Sequence, residues 1–409
     1  MSESSQGDEV LRKIEREVQM REGAGKLLVA CSRMEQALEA AKSLLTSNAR
    51  ILALLSQLQQ IRKDQVFEEV RRNSGGLEIL TKSHDHPIEE KTPCLGTLVM
   101  SDLRIPLMWK DTEYFSNKGE VHRCATFCLL QCGTEIQDTD LVMVDKTLTD
   151  ICFEEPIVFN NVGPGFLLRV QLYSSFVMEE TSTGTLGSRR GSRICAALGS
   201  AAVWGSVFGG DSAKLGSGSP PPSATLRSPK YCLLAQTTLK LQHVQEGFKS
   251  HDLSLAATED DPFWVPLYGN ICCRLLAQPF CMSQPIMSGQ LQILQGQDPR
   301  CWTSVFGVLR GQELLCFQSQ EDLKCEDEPL TVIPIKKDTL ICASEDEPVH
   351  IQVWTRCQGE DFTYSLKTNT PEDTHHWTSV LWEHIHHMSQ WKQCCDLPVK
   401  IDRVGPRKP

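Results

Sequence analysis

Long hydrophobic runs are missing from this sequence: nothing reaches the ~18 consecutive apolar residues that read as a membrane span, and no apolar run of signal-peptide type opens the chain. A chain that is neither secreted nor membrane-spanning is expected, with a cytoplasmic location. Positive charge is also in short supply. Lys and Arg number 41 against 52 Asp and Glu, a net charge of -11 that argues against a general nucleic-acid binder, whose electrostatic footprint would be basic. There is no P-loop, nucleophile elbow or kinase signature set, so no enzyme activity and no cofactor is expected. His375, His376, His384, His386 and His387 crowd one segment but fall on several helical faces, and they make no compact metal-ligand set. Cysteine is plentiful, at 18, yet scattered through apolar strand-like runs such as the one holding Cys124, Cys128 and Cys132. In a reducing compartment these read as small buried hydrophobes, and their spacing puts all three on one face of a strand.

What the chain does have is order in blocks. The 409 residues fit two or three domains. Residues 1–75 carry apolar residues at helical period, broken once at Ser32-Arg33-Met34-Glu35, which fits an S-x-x-E capping box. Downstream, Met34, Leu38, Ala41, Leu45, Asn48, Leu52 and Leu55 step by alternating fours and threes, the spacing of a coiled-coil seam. Upstream, Leu11, Ile14, Val18, Ala24, Leu27, Leu28 and Cys31 form the matching side. With no room for a long loop, the expectation is an antiparallel α-helical coiled-coil hairpin up to roughly 60 Å long. Gly23 and Gly25 each cost about 1 kcal/mol relative to Ala inside a helix. Close approach of the other helix or of a partner, or a local break, would account for them.

Residues 76–92 read as a linker, with Gly76 at its start and His84-Asp85-His86-Pro87 within it. From there to residue 280 the period changes to two, in short runs such as Thr97–Met100, Val121–Leu130, Leu141–Val144, Ile157–Phe159, Phe166–Tyr173, Tyr231–Ala235 and Thr237–Leu241. A central all-β sandwich over 93–280 is expected, interrupted at 180–229 by a Ser-, Gly- and Pro-rich insertion too polar to fold. It shows no Asp cluster at loop-tip spacing that would hold Ca²⁺. Within the insertion, Arg189-Arg190-Gly191-Ser192 suits a basophilic kinase, making Ser192 a phosphorylation candidate. Residues 286–392 carry seven strand-like runs and then one helix, opened by Thr370 as cap and Pro371 in the first turn, with Trp377, Val380, Leu381 and Ile385 as its apolar stripe. Residues 393–409 read as a tail.

Seven strands and one C-terminal helix with Trp377 resemble the pleckstrin homology (PH) domain, an α+β barrel closed by its helix. Met20-Arg21-Glu22-Gly23-Ala24-Gly25-Lys26-Leu27-Leu28 resembles the Rho effector homology repeat. Together with Ser101–Phe115 and Met388–Asp396, the chain is similar to the rhotekin family of Rho effectors, and the order of hairpin, C2-like sandwich and PH domain resembles the anillin C-terminal region. That resemblance implies a non-enzymatic effector that binds GTP-loaded RhoA-type GTPases through the hairpin, slows GTP hydrolysis, links to septins and actin, and is recruited to the cortex or membrane. Arg16, Met20, Arg21, Gly23, Lys26, Lys42 and Arg50 are the candidate GTPase contacts. Only Arg300 is basic in the first PH loop, so phosphoinositide binding there is expected to be weak.

Overall fold

The computed structural model describes residues 3–73, 94–109, 123–177, 229–257, 264–294, 301–325, 328–344, 347–357 and 359–396. The expected linker, all but the last residue of the expected insertion, and the tail after residue 396 lie outside them.

Two helices come first, α1 (Glu3–Ala30) and α2 (Met34–Asn73). Only three residues separate them, so the chain must fold straight back. Val10 and Ile14 of α1 meet Leu54, Leu58 and Ile61 of α2 near the open end, Arg21 reaches Asn48, and Gly25 faces Leu44 near the turn, an antiparallel arrangement. The stripe on α2 that was expected to face α1 does something else. Leu38, Ala41 and Ala53, with Met34, Leu45 and Ala49 beside them, pack on the neighbouring β module instead. Leu52 and Leu55 are exposed. The stripe that meets α1 is offset around the helix, through Leu44, Leu54, Leu58 and Ile61. A helix pressed between another helix and a sheet needs two apolar faces, and spacing alone does not say which face meets which neighbour. Close approach of the other helix does not account for the two glycines. A Cβ built at Gly23 would meet nothing within 4 Å, and one at Gly25 only Leu44 Cδ2 at 4.0 Å, so neither is required by close helix contact.

The middle of the chain is β-rich. Its strands are β1 (Gly96–Pro106), β2 (Arg123–Cys132), β3 (Glu135–Asp138), β4 (Val142–Val144), β5 (Asp150–Phe153), β6 (Ile157–Val162), β7 (Leu168–Val177), β8 (Cys232–Leu239), β9 (Gln245–Asp252), β10 (Ser254–Leu255) and β11 (Asn270–Pro279). One sheet runs β5-β1-β11-β9 with β6 also on β1; the other runs β10-β8-β7-β2-β3 with β4 also on β2. Period-two alternation explains β2. Cys124, Cys128, Leu130 and Cys132 point into the core shared with Leu98, Ile105, Ile151, Phe159 and Ile271 of the other sheet, while Ala125, Phe127 and Leu129 point outward under α2. A strand covered on both faces reads as a continuous apolar run, as Cys124–Leu130 does but for Thr126. Strand β3 was not foreseen from the sequence, β5 and β11 were read only as apolar strand-like runs around Cys152 and Cys272-Cys273, and the two runs expected over 231–241 are one strand with a 3-10 turn after it.

After the short helix α3 (Phe280–Ser283) come β12 (Pro285–Leu294), β13 (Trp302–Arg310), β14 (Glu313–Phe317), helix α4 (Gln320–Lys324), β15 (Thr331–Pro334), β16 (Leu340–Ala343), β17 (His350–Cys357), β18 (Glu360–Lys367) and helix α5 (Pro371–Trp391). The seven strands form one antiparallel sheet in the order β15-β14-β13-β12-β18-β17-β16. Helix α5 starts where its residues dictate. The Thr370 hydroxyl accepts the Asp373 N–H at 3.1 Å and Pro371 occupies the first turn. Trp377, Leu381, Ile385 and Met388 are buried, and the Trp377 ring lies over Gly289 of β12.

The far end of α5 ties this unit to the β module. Trp391 is fully buried and its indole N–H donates to the Cys94 carbonyl at 2.9 Å. Gln393 donates to Leu241 O at 2.7 Å, and the Gly311 N–H to Cys281 O at 3.2 Å. Buried His384 donates from Nε2 to Gly311 O at 2.6 Å; burial lowers its pKa, which keeps the imidazole neutral. One apolar cluster therefore runs through both units. Trp391→Ala should cost about 3–5 kcal/mol, the usual range for removing a buried aromatic side chain, and lower the melting temperature of both units together. Calorimetry showing an unchanged transition would contradict a shared core.

A candidate protein-binding surface on the helical hairpin

The seven candidate contact residues separate into two groups. Arg16, Met20 and Gly23 recur at helical spacing along one side of α1, and Leu27, which was expected in the seam, continues that side instead. All four are exposed, Met20 at 58% and Leu27 at 61%, and Lys26 is exposed beside them. Large apolar side chains left in water next to guanidinium and ammonium groups are a protein-recognition pattern. Arg21 sits between the groups: it is half-buried and its Nη1 lies 3.5 Å from Asn48 Oδ1 across the hairpin.

Lys42 and Arg50 are already engaged. Lys42 is buried, with Nζ 3.1 Å from Asp138 Oδ2 and 5.7 Å from the centre of the Phe127 ring. Arg50 donates from Nε to Ile136 O at 3.0 Å and from Nη2 to Asp138 Oδ1 at 3.3 Å, with Glu17 Oε2 4.0 Å from Nη1. One carboxylate on β3 thus holds two cations on α2, one through each oxygen. Charge-assisted bonds of this kind offset the desolvation of Lys42, and the face of Phe127 adds a cation–π contact. Tyr231 completes the joint, its hydroxyl donating to Leu38 O at 3.4 Å; burial, and next the Glu39 carboxylate, push its phenol pKa up.

Asp138 is the residue that sequence reasoning missed. A signal was present. Lys42 falls among Leu38, Ala41, Leu45 and Ala49, on a side of the helix where a lysine bound for water does not belong. Beyond the joint, an open groove near the turn is lined by Ala24, Leu27, Ala30 and Cys31 of the first arm and Glu35, Gln36, Glu39, Ala40 and Ser43 of the second. Arg300 and Ser192 lie outside the described residues.

The buried thiols are held in the protonated form: burial raises the pKa of Cys273 and Cys316 to about 12 each. Among the described residues, no group of three or more His, Cys, Asp or Glu is placed to hold a metal ion. No helix among them is long and apolar enough to cross a membrane.

Comparison with known proteins places these units in context. Residues 94–245 match the family model described as cell division protein anillin, and residues 285–386 match the PH domain. Rhotekin of Homo sapiens is 44% identical over 428 residues, an alignment spanning 100% of this chain and 72% of that protein. Rhotekin-2 of Homo sapiens is 38% identical over 410 residues, spanning 98% of this chain and 64% of that one. Among solved structures, the pleckstrin homology domain of the human KIAA0053 protein is 18% identical over 25% of this chain and 89% of that chain, at a TM-score of 0.21.

Asp138→Ala leaves Lys42 and Arg50 without their counter-charge and should weaken the docking of α2 by about 1–3 kcal/mol, less than a fully buried pair because Asp138 and Arg50 keep some solvent contact. Hydrogen exchange should quicken over Leu38–Ala53 and stay unchanged in α5. The double replacement Lys42→Met with Asp138→Leu should restore part of the protection, since an apolar pair needs no counter-charge.

Proposed function

Because the chain belongs to the rhotekin family, we propose that it is a non-catalytic Rho effector and scaffold that binds a GTP-loaded RhoA-type GTPase through the outward side of α1. The observation that carries this reading is the division of labour in the hairpin. Helix α2 is covered by α1 on one side and by the β module on another, whereas Arg16, Met20, Gly23, Lys26 and Leu27 remain open to a partner. Lys42 and Arg50 serve the site by fixing the rod to the body of the protein.

A GTPase signals its state through switch loops that are ordered only while the γ-phosphate and Mg²⁺ hold them. A rigid helical rod matches one loop arrangement and discriminates against the other. Holding those loops also hinders the reorientation of water, or the entry of an activating arginine, that hydrolysis requires. Slowed hydrolysis, stoichiometric with effector, follows from this without any catalytic group. In the same reading residues 1–75 are the Rho effector homology unit in coiled-coil form, 93–280 a C2-like sandwich of the anillin type and 286–392 the PH unit. The latter two give a cytoplasmic protein its docking to septins, actin-associated proteins or the membrane cortex.

Full-length chain should recover RhoA loaded with a GTP analogue far better than RhoA loaded with GDP. The paired charge reversal Arg16→Glu with Lys26→Glu should reduce that recovery at least tenfold, about 1.4 kcal/mol or more of binding free energy. Equal recovery of the two nucleotide forms would defeat the effector reading.

A further inference from the structure

The stripe on α2 that meets the β module does not end where the module ends. Met34, Leu38, Ala41 and Leu45 continue, through Asn48 where Arg21 of α1 reaches it, in the same alternation of threes and fours to Leu52, Leu55, Gln59, Arg62 and Val66. The first part is covered. In the second part Leu52 is 65% exposed, Leu55 40% and Val66 60%, and neighbouring Phe67 is 77% exposed. Heptad spacing suits a helix as occupant, because knobs at these positions fit holes on another helix.

We propose that the occupant is a second copy of this chain, with the distal halves of the two α2 helices packed antiparallel about a two-fold axis. The stripe is complementary to itself in that arrangement. With Leu55 against Val66 of the second copy, the antiparallel step puts Gln59 against Arg62, and the symmetry repeats both layers. Apolar meets apolar at the Leu55 and Val66 layers, while Leu52, one step further out, lies opposite Glu69 at the margin of the contact. In the middle the Gln59 amide oxygen accepts from a guanidinium, and a polar layer of that kind fixes register. A two-fold contact uses one patch on both copies and closes on itself, which yields a dimer and no filament. The outward side of α1 takes no part, so a dimer offers two copies of that surface.

Sedimentation velocity on the full chain over a micromolar concentration series tests the pairing. The unmodified chain should shift reversibly from monomer to dimer. Leu55→Glu alone and Val66→Lys alone should each remove the dimer, since both place a charge opposite an apolar side chain. Both sites are exposed in the single chain, so circular dichroism should be unchanged. Mixing the two variants should restore a dimer, because the carboxylate introduced in one copy then faces the ammonium introduced in the other, while the remaining Leu55 and Val66 still meet. A chain that stays monomeric throughout overturns the proposal and leaves the stripe for a helix of another protein. A dimer that persists in Leu55→Glu, or a mixture that fails to pair, overturns it as well. Recovery of GTP-loaded RhoA by Leu55→Glu should match that of the unmodified chain, which separates failure here from failure of the effector reading.

Discussion

One carboxylate governs the layout of the N-terminal half. Asp138 lies at the end of a four-residue strand and takes Lys42 on one oxygen and Arg50 on the other. Those two residues are eight apart, about two helical turns, so the contact fixes both the position and the roll of α2 on the sheet. Around it the apolar joint closes, with Leu38, Ala41 and Leu45 over Phe127, Leu129 and Ile136. The apolar contacts are non-directional and supply most of the attraction; the ion pairs supply the register. A helix set in this roll has one side under α1, one on the sheet and little left for a globular partner except at its distal end.

Function follows from which surfaces remain. Lys42 and Arg50 on α2 hold the joint to the β module, and the proposed recognition surface is the side of α1 where Arg16, Met20, Lys26 and Leu27 are exposed. At the other end of the chain, Trp391 and Gln393 bind the PH unit to the β module through the backbone carbonyls of Cys94 and Leu241. The three units are thus joined by buried contacts. A partner held on α1 and a partner held on the PH unit would have a defined relative placement, which a scaffold requires and a string of flexible modules does not provide.

Much of this architecture was legible in the residues, because it rests on local signals. The two helices follow from period and a short break, the PH strands from alternation and turns, and the last helix from Thr370, Pro371 and Trp377. Two features were not legible, for one shared reason. The seam on α2 was assigned to α1 although it meets the sheet, and Asp138 was passed over although it holds the joint. Both depend on contacts between residues about ninety positions apart, and a heptad pattern carries no mark of its partner's identity. Lys42 among apolar neighbours and the apolar run of β2, broken only by Thr126, were local traces of the missing contact. Each meant a surface covered on a side where water was expected.

The central claim, that the hairpin docks through α2 and presents α1, is tested most directly by oxidative side-chain footprinting of the full chain, alone and with RhoA bound to a GTP analogue. Met20 and Leu27 should react readily in the free chain and become protected in the complex, while Leu38 and Leu45 should be protected in both. Protection that appears at Leu38 and Leu45 only when RhoA is added, with Met20 and Leu27 unchanged, would contradict the account.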